Sequence, residues 1–356
     1  MKITRIPAAS AEALICPPGA SVREAMRRLN AAPFPMQLIV EPSGKLIGAM
    51  TDGDIRRSLL RPDMSVENPV TESMQRNLVI GKAGAEAENL RLVQQTKSVI
   101  PFLPVVNEAG DLVEILVGTQ GARAPETALV MAGGFGRRLG TTTRMTPKPL
   151  LQLGTRPILD HILEQLETAG IKQVYIAVHY LAEQFEAFIK SRDNCCNIEL
   201  LHEREPLGTA GALGLLPASV NSTIIVLNGD IVTSVDFNAL SNFHNRNNYD
   251  GTIAVAQHEV EIPYGVVRHS HDGIFEGIDE KPRLRQFVAA GLYLINPEIR
   301  ALAPRANGID MPELLNLARS VGLCIGLFPV HEHWMDIGRP QDLEAARTRE
   351  GKTVAE

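Results

Sequence analysis

Two rhythms of apolar and polar positions divide the chain. In the first third, an amphipathic run at 22–29 sets Val22, Met26 and Leu29 on one face, and aliphatic residues then flank a polar turn in QLIVEPSGKLIGA (37–49). Apolar spacings of four and three predict a helix, and β-branched runs around Ser43-Gly44 predict a hairpin. The pattern recurs. Residue 103 follows residue 37 by 66 positions, and LPVVNEAGDLVEI (103–115) repeats strand, turn, strand around Ala109-Gly110, behind a helical counterpart at 87–93. A Gly/Ala/Pro segment at 121–126 ends the repeat and marks a boundary, which predicts an α+β domain over 1–122.

From Thr127 onward short apolar runs at 128–131, 173–178 and 223–227 alternate with helical stretches such as 158–169. This predicts an α/β domain over 127–356 with a Rossmann-like, mixed, mostly parallel sheet covered by helices on both faces. Ligands of such sheets bind at the carboxyl ends of the strands.

With 356 residues, 44% of them hydrophobic, the chain can bury two cores. A net charge of -6 argues against a nucleic-acid or anionic-membrane surface, so any phosphate affinity must be local. No uncharged apolar run is long enough to span a bilayer, which leads to the expectation of a cytoplasmic protein. Cys16, Cys195, Cys196 and Cys324 have neither disulfide-framework density nor a C-x-x-C spacing, and the pairs His331/His333 and His269/His271 lack further ligands in a zinc pattern.

Candidate chemistry begins at the end of the first run of the second domain. Ala132-Gly133-Gly134-Phe135-Gly136-Arg137-Arg138-Leu139 leads to Pro147-Lys148-Pro149-Leu150. Glycines let backbone N–H groups close on a phosphate chain, and Arg138 and Lys148 add positive charge. The loop is neither a Walker loop nor a good dinucleotide fingerprint, since Leu139 stands where the third glycine belongs. G-G-x-G-x-R-L followed by P-K-P resembles the signature of the sugar-nucleotide pyrophosphorylases, a nucleotidyltransferase family that includes mannose-1-phosphate guanylyltransferases. The resemblance covers about 127–345; Arg137 departs from it, at a position usually Ser or Thr.

The resemblance implies an enzyme that makes a nucleotide-sugar and pyrophosphate from a nucleoside triphosphate and a sugar 1-phosphate with Mg²⁺. It assigns the metal to Asp230 and Asp336, phosphate chemistry to Arg138, Lys148 and Lys281, and the sugar to Gly265 and Glu280. Ala132, Gly133, Gly134, Gly136, Glu203, Gly208 and Thr209 would bind the nucleotide. Taken alone, each aspartate is more often a turn or cap residue. At Glu203 the residue type adds an argument. An acceptor-only carboxylate can receive the adjacent N1–H and N2–H₂ of guanine, whereas the uracil edge alternates donor and acceptors. GTP is therefore favoured over UTP.

The 66-residue repeat resembles a tandem CBS domain, a nucleotide-sensing or dimerising module. Gly48-Ala49-Met50-Thr51-Asp52-Gly53-Asp54 carries its pattern, which implies that Thr51 meets phosphate and Asp54 ribose of an adenosine or guanosine nucleotide. At the matching points of the second copy stand Glu114, Val117 and Gln120, leaving one intact site per pair. Proteins with this layout resemble glucosamine-1-phosphate guanylyltransferases, making glucosamine 1-phosphate, or a related hexose or heptose 1-phosphate, the expected substrate. A homo-oligomer is expected; a uridylyltransferase and a non-catalytic nucleotide-sugar sensor are the alternatives.

Overall fold

The computed structural model describes residues 2–96, 101–119, 124–134, 145–304 and 307–353. By packing, the chain divides into two compact units: Met1–Pro125 together with Asp236–Tyr249, and Glu126–Val235 together with Asp250–Glu356.

The first unit opens with β1 (Lys2–Pro7), β2 (Ile15–Cys16), helix α1 (Val22–Ala31), β3 (Met36–Val40), β4 (Leu46–Thr51) and α2 (Asp52–Leu59). It continues through β5 (Gly81–Lys82), α3 (Glu86–Gln95), β6 (Phe102–Val106) and β7 (Leu112–Thr119). Both expected hairpins form, with sheet orders β2-β3-β4 and β1-β7-β6-β5. Their turns bond reciprocally: Leu46 N–H donates to the Gly110 carbonyl and Leu112 N–H to that of Gly44. Met36, Leu38 and Val40 pack with Leu112, Ile115 and Val117, so alternate positions of both hairpins form one core. Ser21 caps α1 by accepting from Glu24 N–H.

The second unit begins with β8 (Thr127–Met131), the short pair β9 (Gln152–Leu153) and β10 (Arg156–Pro157), α4 (Ile158–Thr168), β11 (Gln173–Val178), α5 (Ala182–Ser191) and β12 (Asn197–His202). After α6 (Gly208–Gly211) come β13 (Ile224–Asn228) and β14 (Ile231–Thr233). Helix α7 (Phe237–Arg246) then joins the first unit before the chain returns as β15 (Gly251–Glu261), β16 (Val266–His269), β17 (Phe275–Asp279) and β18 (Arg283–Ile295). Helices α8 (Pro297–Arg300) and α9 (Met311–Ser320), strands β19 (Ile325–Val330) and β20 (Trp334–Asp336), and α10 (Pro340–Thr353) complete it.

Seven strands form one α/β sheet in the order β12-β11-β8-β13-β18-β15-β19, in which β18 alone runs against the others. This is the mixed, mostly parallel sheet expected from the alternation of runs. From β8 the chain steps outward to β11 and β12, then returns to β13 on the other side. The β8/β13 crevice is therefore the topological switch point.

Sequence periodicity assigns 127–356 to one domain, whereas Asp236–Tyr249 packs with the first unit. The reason is local: Phe237, Leu240 and Phe243 of α7 are each at most 3% exposed. Burying side chains of this kind contributes roughly 1.5–3 kcal/mol apiece. Among the described residues no helix is long and apolar enough to cross a membrane.

Helices α4 and α5 are tied together by Arg192, which donates to Asp160 at 2.6 Å and to both oxygens of Glu167 at 2.7 Å. The guanidinium, helped by Cys195 N–H and opposed by burial, holds the Glu167 carboxyl down at about 2. Unfolded, that group titrates near the ordinary ~4.3, so the unfolded chain binds more protons between the two values. Its stabilisation is present above ~4.3 and is lost as pH falls toward 2. Arg192→Ala is expected to cost on the order of 3 kcal/mol in urea unfolding at neutral pH, and to flatten the acid slope; an unchanged slope would refute the pairing.

Candidate functional site

The carboxyl ends of β8 and β13 lie side by side, since Met131 pairs with Asn228 and Gly229 N–H donates to the Met131 carbonyl at 2.9 Å. Ala132 and Gly133 therefore start beside Asp230. Asp336 arrives from 106 positions later because β14 pairs antiparallel with β20, placing Ile231 opposite Asp336, and Ile337 N–H donates to the Asp230 carbonyl. Lys148, only 8% exposed, brings its ammonium to Asp230 Oδ2 and within 3.8 Å of Asp336 Oδ1. The structure thus unites the expected phosphate-binding lysine and the two expected metal carboxylates.

Asp230 Oδ1 is buried without a hydrogen-bond partner. Such an acceptor is costly unless something supplies positive charge. Among the described residues no cluster of three or more His, Cys, Asp or Glu could hold a metal by itself. Two carboxylates with an orphaned oxygen nevertheless fit Mg²⁺, which takes one or two protein carboxylates and completes its shell with waters and phosphate oxygens.

Glu203 follows β12 directly and is 8% exposed. A Cβ on Gly133 would stand 3.0 Å from Glu203 Oε2, so the carboxylate packs against the glycine-rich segment. Leu207 N–H donates to the carboxylate at 3.2 Å, and His179 Nδ1 lies 2.9 Å from the Glu203 carbonyl. Burial raises the Glu203 pKa above the usual carboxylate range, with Leu207 N–H and His179 partly opposing it. These two holders were not singled out from sequence, where neither has a distinguishing pattern.

Gly208 and Thr209 have structural duties. Gly208 has φ +75°, and a Cβ there would lie 2.7 Å from the Ile309 carbonyl and 2.8 Å from Asp310 Oδ1. A side chain at 208 would therefore collide with the 309–310 backbone and the Asp310 carboxylate. The Thr209 hydroxyl donates to Asp310 at 3.1 Å and accepts from Met311 N–H at 2.8 Å. Asp310 in turn forms a capping box with Glu313 at the start of α9, legible in the sequence as D-x-x-E but linked to Thr209 only by the fold.

The sugar motifs lie where β15 and β18 run beyond the sheet, with Gln257–Glu261 opposite residues 283–287. There Ile262 N–H donates to the Pro282 carbonyl, and Gly265 meets Glu280, whose Oε2 would be 2.9 Å from a Cβ at 265. Lys281 is exposed and takes the left-handed conformation at φ +46°. Among the described residues neither Glu280 nor Lys281 has an ion pair joining it to Asp230 or Asp336. Gly134 is exposed, with open space where a Cβ would stand. Gly136, Arg137 and Arg138 lie outside the described residues, as does Gln120.

In the first unit, Thr51 N–H and hydroxyl both donate to Asp54 Oδ2, at 2.9 and 2.6 Å, closing the capping box of α2. Asp54 Oδ1 accepts from Arg57 and from Gln75 at 3.2 Å. Thr51 lines a cavity of about 100 Å³ over the start of α2, with α7 forming the facing wall; the ring of Phe243 lies 3.7 Å from the Cβ position of Gly53. The Asp54 carboxylate, expected to meet ribose, is held by these internal bonds and is not among the groups lining the cavity.

Residues 127–352 match the nucleotidyl transferase family model and residues 6–61 match the CBS domain model. The mannose-1-phosphate guanylyltransferase catalytic subunit beta of Drosophila pseudoobscura pseudoobscura is 37% identical over 225 residues, 60% of each chain. The mannose-1-phosphate guanyltransferase of Schizosaccharomyces pombe is 34% identical over 230 residues, 60% of this chain and 61% of its own. The chain spans about three fifths of the length of these relatives. Among solved structures, HddC from Yersinia pseudotuberculosis complexed with GMP-PN is 24% identical, with TM-score 0.50 over 63% of this chain and 99% of that one. A putative glucose-1-phosphate thymidylyltransferase from Bacillus anthracis is 23% identical, with TM-score 0.51 over 63% of this chain and 94% of its own. These two likenesses concern the fold alone.

Gly208→Ala is expected to lower stability by at least ~1 kcal/mol through its left-handed backbone, and by more through collision with the Ile309 carbonyl. Thermal melts check this; an unshifted melting temperature would show that the 207–211 turn does not pack on 309–310.

Proposed function

The chain belongs to the nucleotidyl transferase family, and from that premise we propose that it makes a nucleotide-sugar and pyrophosphate from a nucleoside triphosphate and a sugar 1-phosphate. The observation that carries this reading is the convergence of Lys148, Asp230 and Asp336 beside Gly133 at the switch point of the sheet. A phosphate oxygen of the sugar 1-phosphate attacks the α phosphorus in line; the new P–O bond forms as pyrophosphate leaves with the electron pair of the old one. The nucleophile is already an anion, so no protein base is required, and the protein's work is to position two mutually repelling anions. Lys148 supplies positive charge to the phosphates, joined by Arg138, and Lys281 meets the sugar phosphate while Glu280 and Gly265 hold sugar hydroxyls. Mg²⁺, held by Asp230 and Asp336, would neutralise further phosphate charge.

The triphosphate is GTP in this reading. Glu203 is a buried acceptor against Gly133, suited to the paired donors of guanine. The guanylyltransferases at 34–37% identity support the same nucleotide. Glucosamine 1-phosphate, or a related hexose or heptose 1-phosphate, is the sugar substrate. In the first unit, the CBS match and the Thr51 cavity support an adenosine or guanosine nucleotide as effector.

Pyrophosphate release is the test, with GTP and UTP crossed against glucosamine, mannose and heptose 1-phosphates. Release with GTP and one sugar is expected; release confined to UTP would overturn the Glu203 argument. Lys148→Ala should lower kcat on the order of 10² to 10³, the cost of one preorganised donor, and a variant keeping most of its turnover would remove Lys148 from the chemistry. Because the Glu203 pKa is raised and guanine needs the ionised carboxylate, KM for GTP should climb as pH falls toward that raised value. Glu203→Gln should abolish this acid limb, and its persistence would place the titrating group elsewhere.

A further inference from the structure

Strand β18 leaves its register in the middle of the large sheet. Against β15 the pairing runs Ile253 with Tyr293 and then Val255 with Ala289, so two steps along β15 are matched by four along β18. Against β13 the ladder stops where Leu227 meets Leu292. Ala290 and Gly291 therefore pair with neither neighbour, and β18 bulges beside the end of β13 that leads to Asp230. Bulges of this kind re-aim side chains next to functional sites.

Two side chains clasp the bulge. Gly291 takes φ +71°, and a Cβ there would stand 2.6 Å from Asn228 Nδ2 and 2.9 Å from Asn228 Cγ, so the carboxamide lies against bare backbone. Asn228 is two residues before Asp230. The Ala290 carbonyl, in a residue with no exposed surface, accepts from the Trp334 indole N–H at 2.7 Å. A buried carbonyl that has left its ladder needs a donor from elsewhere, and Trp334 supplies it.

Trp334 opens β20, the strand that ends in Asp336. Alternate residues of a strand share a face, so the indole and the Asp336 carboxylate leave β20 on the same side, roughly 7 Å apart along the strand. The ladder of β14 with β20 has only two strands, and such a ladder is marginal unless something outside it holds it. Its register sets Ile231 opposite Asp336, and Ile337 N–H donates to the Asp230 carbonyl at 3.1 Å. The Asp336 side chain is 45% exposed, so its own packing restrains it little and its strand must place it. Each aspartate thus stands two residues from a contact with the same bulge.

We propose that Trp334 is a positioning residue: its hydrogen bond to the β18 bulge sets β20 so that Asp336 and Asp230 serve the same divalent cation. The inference rests on the reading of these aspartates as metal ligands and adds the group that orients them.

Mn²⁺ is the probe, titrated into the full chain and followed by electron paramagnetic resonance, with the Mg²⁺ dependence of pyrophosphate release as companion. Trp334→Phe keeps an aromatic ring and removes the N–H donor. With a melting temperature confirming that it folds, this variant should bind Mn²⁺ about tenfold more weakly or worse, the usual loss when a group supporting a metal ligand is removed. The Mg²⁺ needed for half-maximal turnover should rise by a similar factor, and excess Mg²⁺ should restore turnover. Turnover that falls without rescue by Mg²⁺ would mark general damage and overturn the proposal.

A second measurement needs no substitution. Trp334 is the single tryptophan of the chain, so 5-fluorotryptophan labels this position alone and keeps the N–H. Its ¹⁹F line should broaden as Mn²⁺ binds, and Asp336→Asn should remove the broadening. Mn²⁺ binding that leaves the line sharp would place the ion away from β20 and overturn the proposal. Undiminished Mn²⁺ affinity in Trp334→Phe, with Asp336→Asn losing it, would overturn the role of Trp334 and leave the metal reading standing. Undiminished affinity in Asp336→Asn would remove the metal reading, and the proposal with it.

Discussion

An ammonium group taken out of water must find negative partners, and that constraint organises the second unit around Lys148. Leaving such a charge unpaired costs several kcal/mol. Asp230 and Asp336 satisfy it, one from the end of β13 and the other from β20. Meeting the requirement needs β8 beside β13, so that the loop carrying Lys148 starts next to Asp230. It also needs the β14–β20 ladder, which closes more than a hundred residues of chain into one contact.

The same cluster sets one ammonium against two carboxylates, a net negative balance that suits a cation. Lys148 neutralises Asp230 Oδ2 but leaves Oδ1 buried and unpartnered, so the group is not internally complete. Fully satisfied polar clusters serve as scaffolding, whereas a cluster that leaves one buried acceptor open is suited to a further positive charge. Glu203 is the second buried carboxylate near these strand ends. It is packed against Gly133, restrained by one backbone N–H, and raised in pKa by burial.

In the first unit the reciprocal bonding of the two hairpin turns makes one core from two weak repeats. The first repeat has α2 behind its second strand, and the cavity over that helix is completed by α7 from a distant part of the chain. The family match and the packing thus divide the chain differently at Asp236–Tyr249, and the place where they differ is where the cavity and the transferase segment share residues.

Local chemistry in the sequence determined a good deal. The 66-residue repeat, the hairpin turns at Ser43-Gly44 and Ala109-Gly110, and the alternation behind the parallel sheet are short-range patterns that any reading of periodicity reaches. Lys148, Asp230, Asp336 and Glu203 were legible as candidate groups through the resemblance of their short motifs to a known family, since each aspartate taken alone reads as a turn or cap residue. What only the tertiary structure decided depends on residues far apart in sequence. The need for glycine at 208 comes from Ile309 and Asp310, and the Thr209 hydroxyl is bonded to Asp310 and Met311, partners about a hundred residues away. Asp54 spends its carboxylate on Thr51, Arg57 and Gln75. Residues 237–246 fall within the span 127–356 that periodicity assigns to one α/β domain, since periodicity reveals that a face will be buried but not against what. Burial partners are chosen by the global closing of the chain, and no local spacing encodes that choice.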